Sequence, residues 1–150
     1  IKHGDPEFGV IHDFEQGGTT LGGRDLVARH NGEQIRVGSP HNLAEAVLVS
    51  GIPVGHTKSD YGGRLRAVGL EDVGKIRMYG SAALSLSLVA RGLVDIYWED
   101  GIFFWDIAAG LAIARAAGAE FSLQMDPTTL RCRALVFVPT LGSHINPLFS

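Results

Sequence analysis

The chain has 150 residues, 45% of them hydrophobic and 19% charged, and a formal net charge of −3. That balance builds a buried core and excludes a disordered tail, a collagen or a mini-protein. Thirteen Lys and Arg against sixteen Asp and Glu, with no run of like charge, leave no electrostatic footprint for nucleic acid or an anionic membrane. Cys132 is the single cysteine, so no intramolecular disulfide forms and the cytoplasm is the expected location. Ile1-Lys2-His3-Gly4 carries no basic-then-apolar leader pattern, and no apolar stretch reaches the roughly 20 residues that cross a bilayer.

In chain order, Phe8 to His12 reads as a strand, and the glycines between Gly17 and Gly23 read as turns rather than as a dinucleotide loop, because no G-x-G-x-x-G links a strand to a helix. Leu26–His30 and Gln34–Val37 flank Asn31-Gly32, a hairpin signal, since both turn residues tolerate positive φ. Ala44 to Ile52 predicts a strand after a short helical turn, and residues 53–74 are ambiguous, with glycines interrupting a possible helix from Gly63 to Leu70. From Lys75 the pattern sharpens. Lys75–Tyr79 alternates like a half-buried strand. Ser81–Arg91, apolar nearly all round and stopped by Gly92, predicts a helix buried by layers above and below. Val94–Trp98 predicts a strand; Asp106 precedes a second Ala-rich helix, Ile107 to Ala117, ended by Gly118. Glu120–Ser122 and Ala134–Val138 close the chain as strands. The order predicts an α/β layered sandwich, a mixed sheet flanked by helices, in one domain over residues 1–150.

Gly80-Ser81 and Asp106 both fall at predicted helix starts, where free N–H groups and the helix dipole favour anions. A carboxylate there either caps its helix, the reading that spacing alone favours, or holds a hard divalent cation against a phosphate. The six histidines (His3, His12, His30, His41, His56, His144) show no metal-ligand spacing. Cys132, between Arg131 and Arg133, reads as core, with strand alternation turning the arginines the other way. Trp98, Phe103, Phe104 and Trp105 read as an aromatic packing cluster.

Gly80-Ser81-Ala82-Ala83-Leu84 through Val94-Asp95, then Trp105-Asp106-Ile107-Ala108-Ala109-Gly110 and Ala117-Gly118, resemble the C-terminal half of the inositol monophosphatase family. The Trp-Asp-x-Ala-Ala-Gly element resembles that family's second signature. Phe8–Ile11 and Asn31–Val37 resemble strands that precede this half. The resemblance implies an α-β-α-β-α layered, usually dimeric, lithium-sensitive phosphomonoesterase that depends on Mg²⁺. By that resemblance Asp106 would ligate a metal and help position the nucleophilic water, Glu99 would contact a substrate hydroxyl, and Gly80, Ser81 and Ala82 would line the sugar or cyclitol site. The family's first signature, Asp-Pro-Ile-Asp-Gly-Thr, has no match: Asp5-Pro6 is followed by Glu7-Phe8-Gly9. The expectation is therefore an N-terminally truncated member of the family acting on a small phosphorylated polyol or sugar. The other expectation is a non-catalytic binding module derived from it. In either case a homodimer or higher oligomer would cover the apolar surface that truncation exposes.

Overall fold

The computed structural model describes residues 5–52 and 57–145. Its first sheet is antiparallel and strictly sequential: β1 (Phe8–Asp13), β2 (Gly18–Gly23), β3 (Leu26–His30) and β4 (Glu33–Gln34). Asn31 (φ 50°) and Gly32 (φ 86°) close the β3–β4 hairpin with the positive dihedrals expected of them. The expected second strand is shorter than Gln34–Val37, because Val37 leaves the ladder and donates its N–H to the Ala117 carbonyl at 3.1 Å. Gly18 to Gly23, expected as turns, form strand β2. Their missing side chains let neighbouring backbone and helix approach: a Cβ on Gly22 would lie 3.1 Å from the Ala116 Cβ.

The second sheet has the order β6-β5-β7-β9-β8. Its strands are β5 (Val47–Ser50), β6 (Lys75–Arg77), β7 (Ile96–Phe103), β8 (Glu120–Met125) and β9 (Arg131–Phe137). β6, β5 and β7 run parallel, while β9 is antiparallel to β7 and β8 antiparallel to β9. β6 is not half-buried as its alternation predicts. All three of its residues are exposed, because it forms the sheet's edge, where Lys and Arg protect unpaired backbone.

Three α-helices complete the layers among the described residues. α1 (Lys58–Ala67) follows a capping box made by Thr57 and Asp60 and carries Gly62-Gly63 inside it, so it begins five residues before the Gly63 start expected for it. α2 (Ala82–Ala90) and α3 (Phe104–Ala116) lie between the two sheets. One core sits between the sheets, holding Leu86, Val89, Ile107, Leu111, Ile113 and Tyr97; the other lies under α1 and holds Leu48, Leu65, Leu70, Ile96, Trp98 and Leu135. Tyr97 and Trp98 thus serve opposite faces of β7, as period two requires. Each large aliphatic side chain so buried contributes about 1.5–3 kcal/mol.

Close approach fixes the middle layer. A Cβ on Gly110 would lie 2.5 Å from Leu86 of α2, and one on Gly9 would fall on the Ala109 carbonyl of α3. The Ala-Ala-Gly run therefore lets α3 touch both α2 and β1. A buried polar link ties the layers: Thr20 Oγ1 lies 2.8 Å from Ser87 Oγ and 2.9 Å from His30 Nδ1. Among the described residues no helix is long and apolar enough to cross a membrane.

Candidate functional site

Because β5, β6 and β7 are parallel, the chain leaves all three at one edge of the sheet. β5 leads into α1, β6 into α2 and β7 into α3, so three helix N-termini gather there. In open α/β sheets this carboxyl edge is where ligands bind, outside the strand ends, and helix starts bring unpaired N–H donors and positive dipole ends to it.

Gly80 turns into α2 with φ 73°, a left-handed conformation that favours glycine. Ser81 is the N-cap of α2, its Oγ accepting from the Leu84 N–H at 3.2 Å. Ser81 is exposed, and Ala82, the first helical residue, is half-buried against the inter-sheet core.

Glu99 stands on β7 level with the end of β5. Its Oε1 occupies space next to Gly51, where a Cβ would lie 2.5 Å away. Tyr97, two residues earlier and on the same face, donates its hydroxyl to Glu99 Oε2 at 2.9 Å. Burial pushes the Glu99 carboxyl above its ordinary range; the Tyr97 hydrogen bond opposes this, and the negative charge of Asp106 adds to it. The Tyr97 phenol is likewise raised, first by burial and then by Glu99.

Asp106 is not a cap. α3 begins at Phe104 with Phe103 as its N-cap residue, and no side chain caps it. Asp106 instead sits in the first helical turn, exposed, and among the described residues nothing donates a hydrogen bond to its carboxylate and no cation pairs with it. Glu99 thus feels the negative charge of Asp106 from the neighbouring helix start.

Asp106 suits one position in the shell of a hard cation, since Mg²⁺ commonly takes one or two protein carboxylates and fills the rest with water and substrate phosphate. Among the described residues no three His, Cys, Asp or Glu side chains cluster as a metal-binding set. The described residues therefore fit a magnesium site as the donor of one ligand, Asp106, not of a whole set.

The remaining candidates resolve structurally. His12 and His30 pair with Thr19 and Thr20, whereas His3 and His56 lie outside the described residues. Cys132 is buried, and its thiol is pushed up by that burial. Arg133 turns the other way to pair with Asp100 at 3.1 Å, and Asp100 also takes Arg64 at 2.8 Å. The four aromatics do not form one cluster: Trp98 and Phe104 enter different cores, and Phe103 stacks on Trp105. Ser81 also borders a cleft of about 520 Å³ between the β1–β2 turn and α2, lined by Phe14, Tyr79, Leu88 and Arg91. Sequence reasoning misses Tyr97 and Gly51; the i, i+2 spacing of Tyr97 to Glu99 within a strand is the signal that identifies the first.

The family model described as "Inositol monophosphatase family" matches residues 1–139. An inositol-1-monophosphatase of Mesorhizobium japonicum is 35% identical over 138 residues, covering 80% of this chain and 51% of the relative. The Nus factor SuhB of Pasteurella multocida is 37% identical over 122 residues, 77% of this chain and 43% of the relative. Among solved structures, the inositol monophosphatase from Anabaena superposes with a TM-score of 0.77 at 27% identity, over 96% of this chain and 61% of that one. Mycobacterium tuberculosis SuhB gives 0.78 at 28% identity, over 94% and 57%. The chain spans about half the length of the curated relatives it matches. With its layered α/β fold and a match along nearly its whole length, the chain belongs to the inositol monophosphatase family.

Proposed function

We propose that this chain supplies the polyol-recognising rim and one metal-ligating carboxylate of a Mg²⁺-dependent phosphomonoesterase acting on a small phosphorylated polyol or sugar. Family membership supports phosphatase-like chemistry. The observation that carries the finer reading is the pair of rim carboxylates, one desolvated and tied to a tyrosine, the other without a hydrogen-bonding partner among the described residues. Asp106 holds the cation, which when bound neutralises phosphate charge. Glu99, fixed by Tyr97 and given room by Gly51, accepts a hydrogen bond from a substrate hydroxyl. Gly80, Ser81 and Ala82 bring the start of α2, with its free N–H groups, to the sugar or cyclitol ring. The protein works in the cytoplasm as one domain. It self-associates through the outer face of the first sheet, where Phe8, Val10, Leu26 and Val27 are exposed.

Phosphate release from inositol 1-phosphate tests this. Turnover should require Mg²⁺ and fall at least a hundredfold in Asp106→Asn; magnesium-independent turnover would refute it. The absence of a three-residue ligand cluster among the described residues favours a second reading, a non-catalytic oligomeric module that keeps the rim. Calorimetry separates the two, because that module binds polyol phosphate without coupling to Mg²⁺.

A further inference from the structure

The turn that joins β8 to β9 carries a backbone conformation that its side chain does not favour. Leu130 has φ 56°, the left-handed region in which a bulky side chain is strained and where a hairpin turn ordinarily places glycine. Asp126 builds this turn. Its Oδ1 accepts from the Thr128 and Thr129 N–H groups at 2.8 and 3.2 Å, and its carbonyl accepts from the Leu130 N–H at 2.8 Å. The same two N–H groups, Thr128 first, hold the Asp126 carboxyl below its ordinary range. So fixed, the Leu130 side chain packs against the core between the sheets, and its carbonyl accepts from the Phe104 N–H at 2.9 Å. Phe104 is the first residue of α3, a helix with no side-chain cap, so this carbonyl takes one of the N–H groups that a helix start leaves unpaired. Arg131, the next residue, grips the strand just before the helix: its guanidinium donates to the Gly101 carbonyl at 2.9 Å and lies 4.5 Å from the centre of the Phe103 ring. Strain of this sort persists only where the surrounding structure fixes it, and it gathers at functional sites. Closing a hairpin does not call for it, since glycine would make the same turn without the steric penalty. What leucine adds is an anchored carbonyl on the N–H two residues before Asp106.

We propose that Leu130, held in place by Asp126, is a positioning residue for the reaction: it clamps the first turn of α3, so that the Asp106 carboxylate meets its cation at a fixed place. The role of Asp106 rests on the function proposed above; the clamp itself does not. Holding a metal ligand to within about 0.5 Å takes support of this kind. Leu130 and Asp126 act only through the start of the helix.

Two readouts on the whole chain separate the clamp from its use. One is hydrogen exchange at the Phe104 amide, followed by NMR. The other is the Mg²⁺ concentration that half-saturates binding of inositol 1-phosphate, followed by calorimetry. In Asp126→Ala the amide should exchange about tenfold faster, and the half-saturating Mg²⁺ should rise about tenfold, the low end of what outer contacts to a metal ligand carry. Asp126→Asn, whose amide oxygen still accepts from Thr128 and Thr129, should restore both. Leu130→Gly relieves the backbone but gives up the anchor, and it should weaken Mg²⁺-linked binding as Asp126→Ala does, whatever its melting temperature. A merely structural turn would change exchange and unfolding but leave the half-saturating Mg²⁺ where it is; that result would overturn the positioning role and leave the Asp106 reading intact. Unchanged exchange in Asp126→Ala would overturn the clamp itself. Wild-type binding that ignores Mg²⁺ would overturn the Asp106 reading and the positioning role together, even with faster exchange in the variant.

Discussion

The seam between the two sheets and the rim at the carboxyl edge of β5 and β7 follow opposite rules. In the seam the polar atoms of Thr20, Ser87 and His30 partner one another, and Gly9 and Gly110 are small where helix and strand touch. At the rim burial pushes the Glu99 carboxyl up, and Asp106 accepts no hydrogen bond among the described residues. The seam is organised for stability, whereas at the rim burial disfavours the charged form of Glu99. Separation of this kind is expected where binding groups must stay available to a ligand.

The largest effect should come from crowding the seam. Gly9→Ala places a methyl on the Ala109 carbonyl, a backbone atom that cannot swing away, and should cost about 3 kcal/mol or more by urea unfolding. Gly110→Ala meets the Leu86 side chain, which has some freedom, and should cost about 1–3 kcal/mol. An equal tolerance of both would mean that the layers are not in contact where described.

Thr20→Val removes the hydroxyl shared by Ser87 and His30 and should cost about 1–3 kcal/mol, because it strands buried partners. Adding Ser87→Ala should cost less than the sum of the two single changes, the signature of one network. Additive losses would separate the two residues.

Acid weakens the same seam. Burial holds the His30 imidazole below its ordinary value, with the Arg91 charge adding to this and Asp13 and Glu33 opposing it. The unfolded chain therefore takes up the proton first. This contribution to stability is complete above about pH 6.5 and declines as pH falls toward the folded value. Melting curves of wild type and His30→Gln should differ in slope below pH 6.5, and parallel curves would contradict the assignment.

The rim should respond the other way. The Glu99 carboxyl is raised, so its ionisation weakens the fold at neutral pH and that loss is recovered as pH drops through its folded value. Glu99→Gln, whose amide oxygen still accepts from Tyr97, should raise the melting temperature slightly at pH 7 and lose that advantage near pH 4. A lower melting temperature at pH 7 would assign Glu99 to the structure rather than to the rim.

The difference between the regions also governs what the sequence made legible. The Asn31-Gly32 hairpin, the α2 helix and the Cys132 strand face follow from local chemistry. The Gly18–Gly23 strand did not, because glycine signals a turn locally, and only contact with α3 and β1 explains its use in a strand. α1 was obscured by Gly62-Gly63, and its true start is the Thr57 capping box upstream. At the rim, Glu99 and Asp106 are candidates only through the resemblance, while spacing alone favours capping for Asp106. That preference failed because Phe104 and Trp105 already belong to the helix, which puts Asp106 inside the first turn. Gly51 was invisible, since its role exists only once β5 and β7 lie side by side.

We propose that Asp106, which has no hydrogen-bonding partner among the described residues, takes a cation and a phosphate ester together. Calorimetric titration of inositol 1-phosphate, with and without Mg²⁺, into wild type and Asp106→Asn tests it most directly. The account predicts heat that depends on Mg²⁺ in the wild type and none in the variant, with both unfolding at the same urea concentration. Identical, metal-independent heats in the two proteins would contradict it.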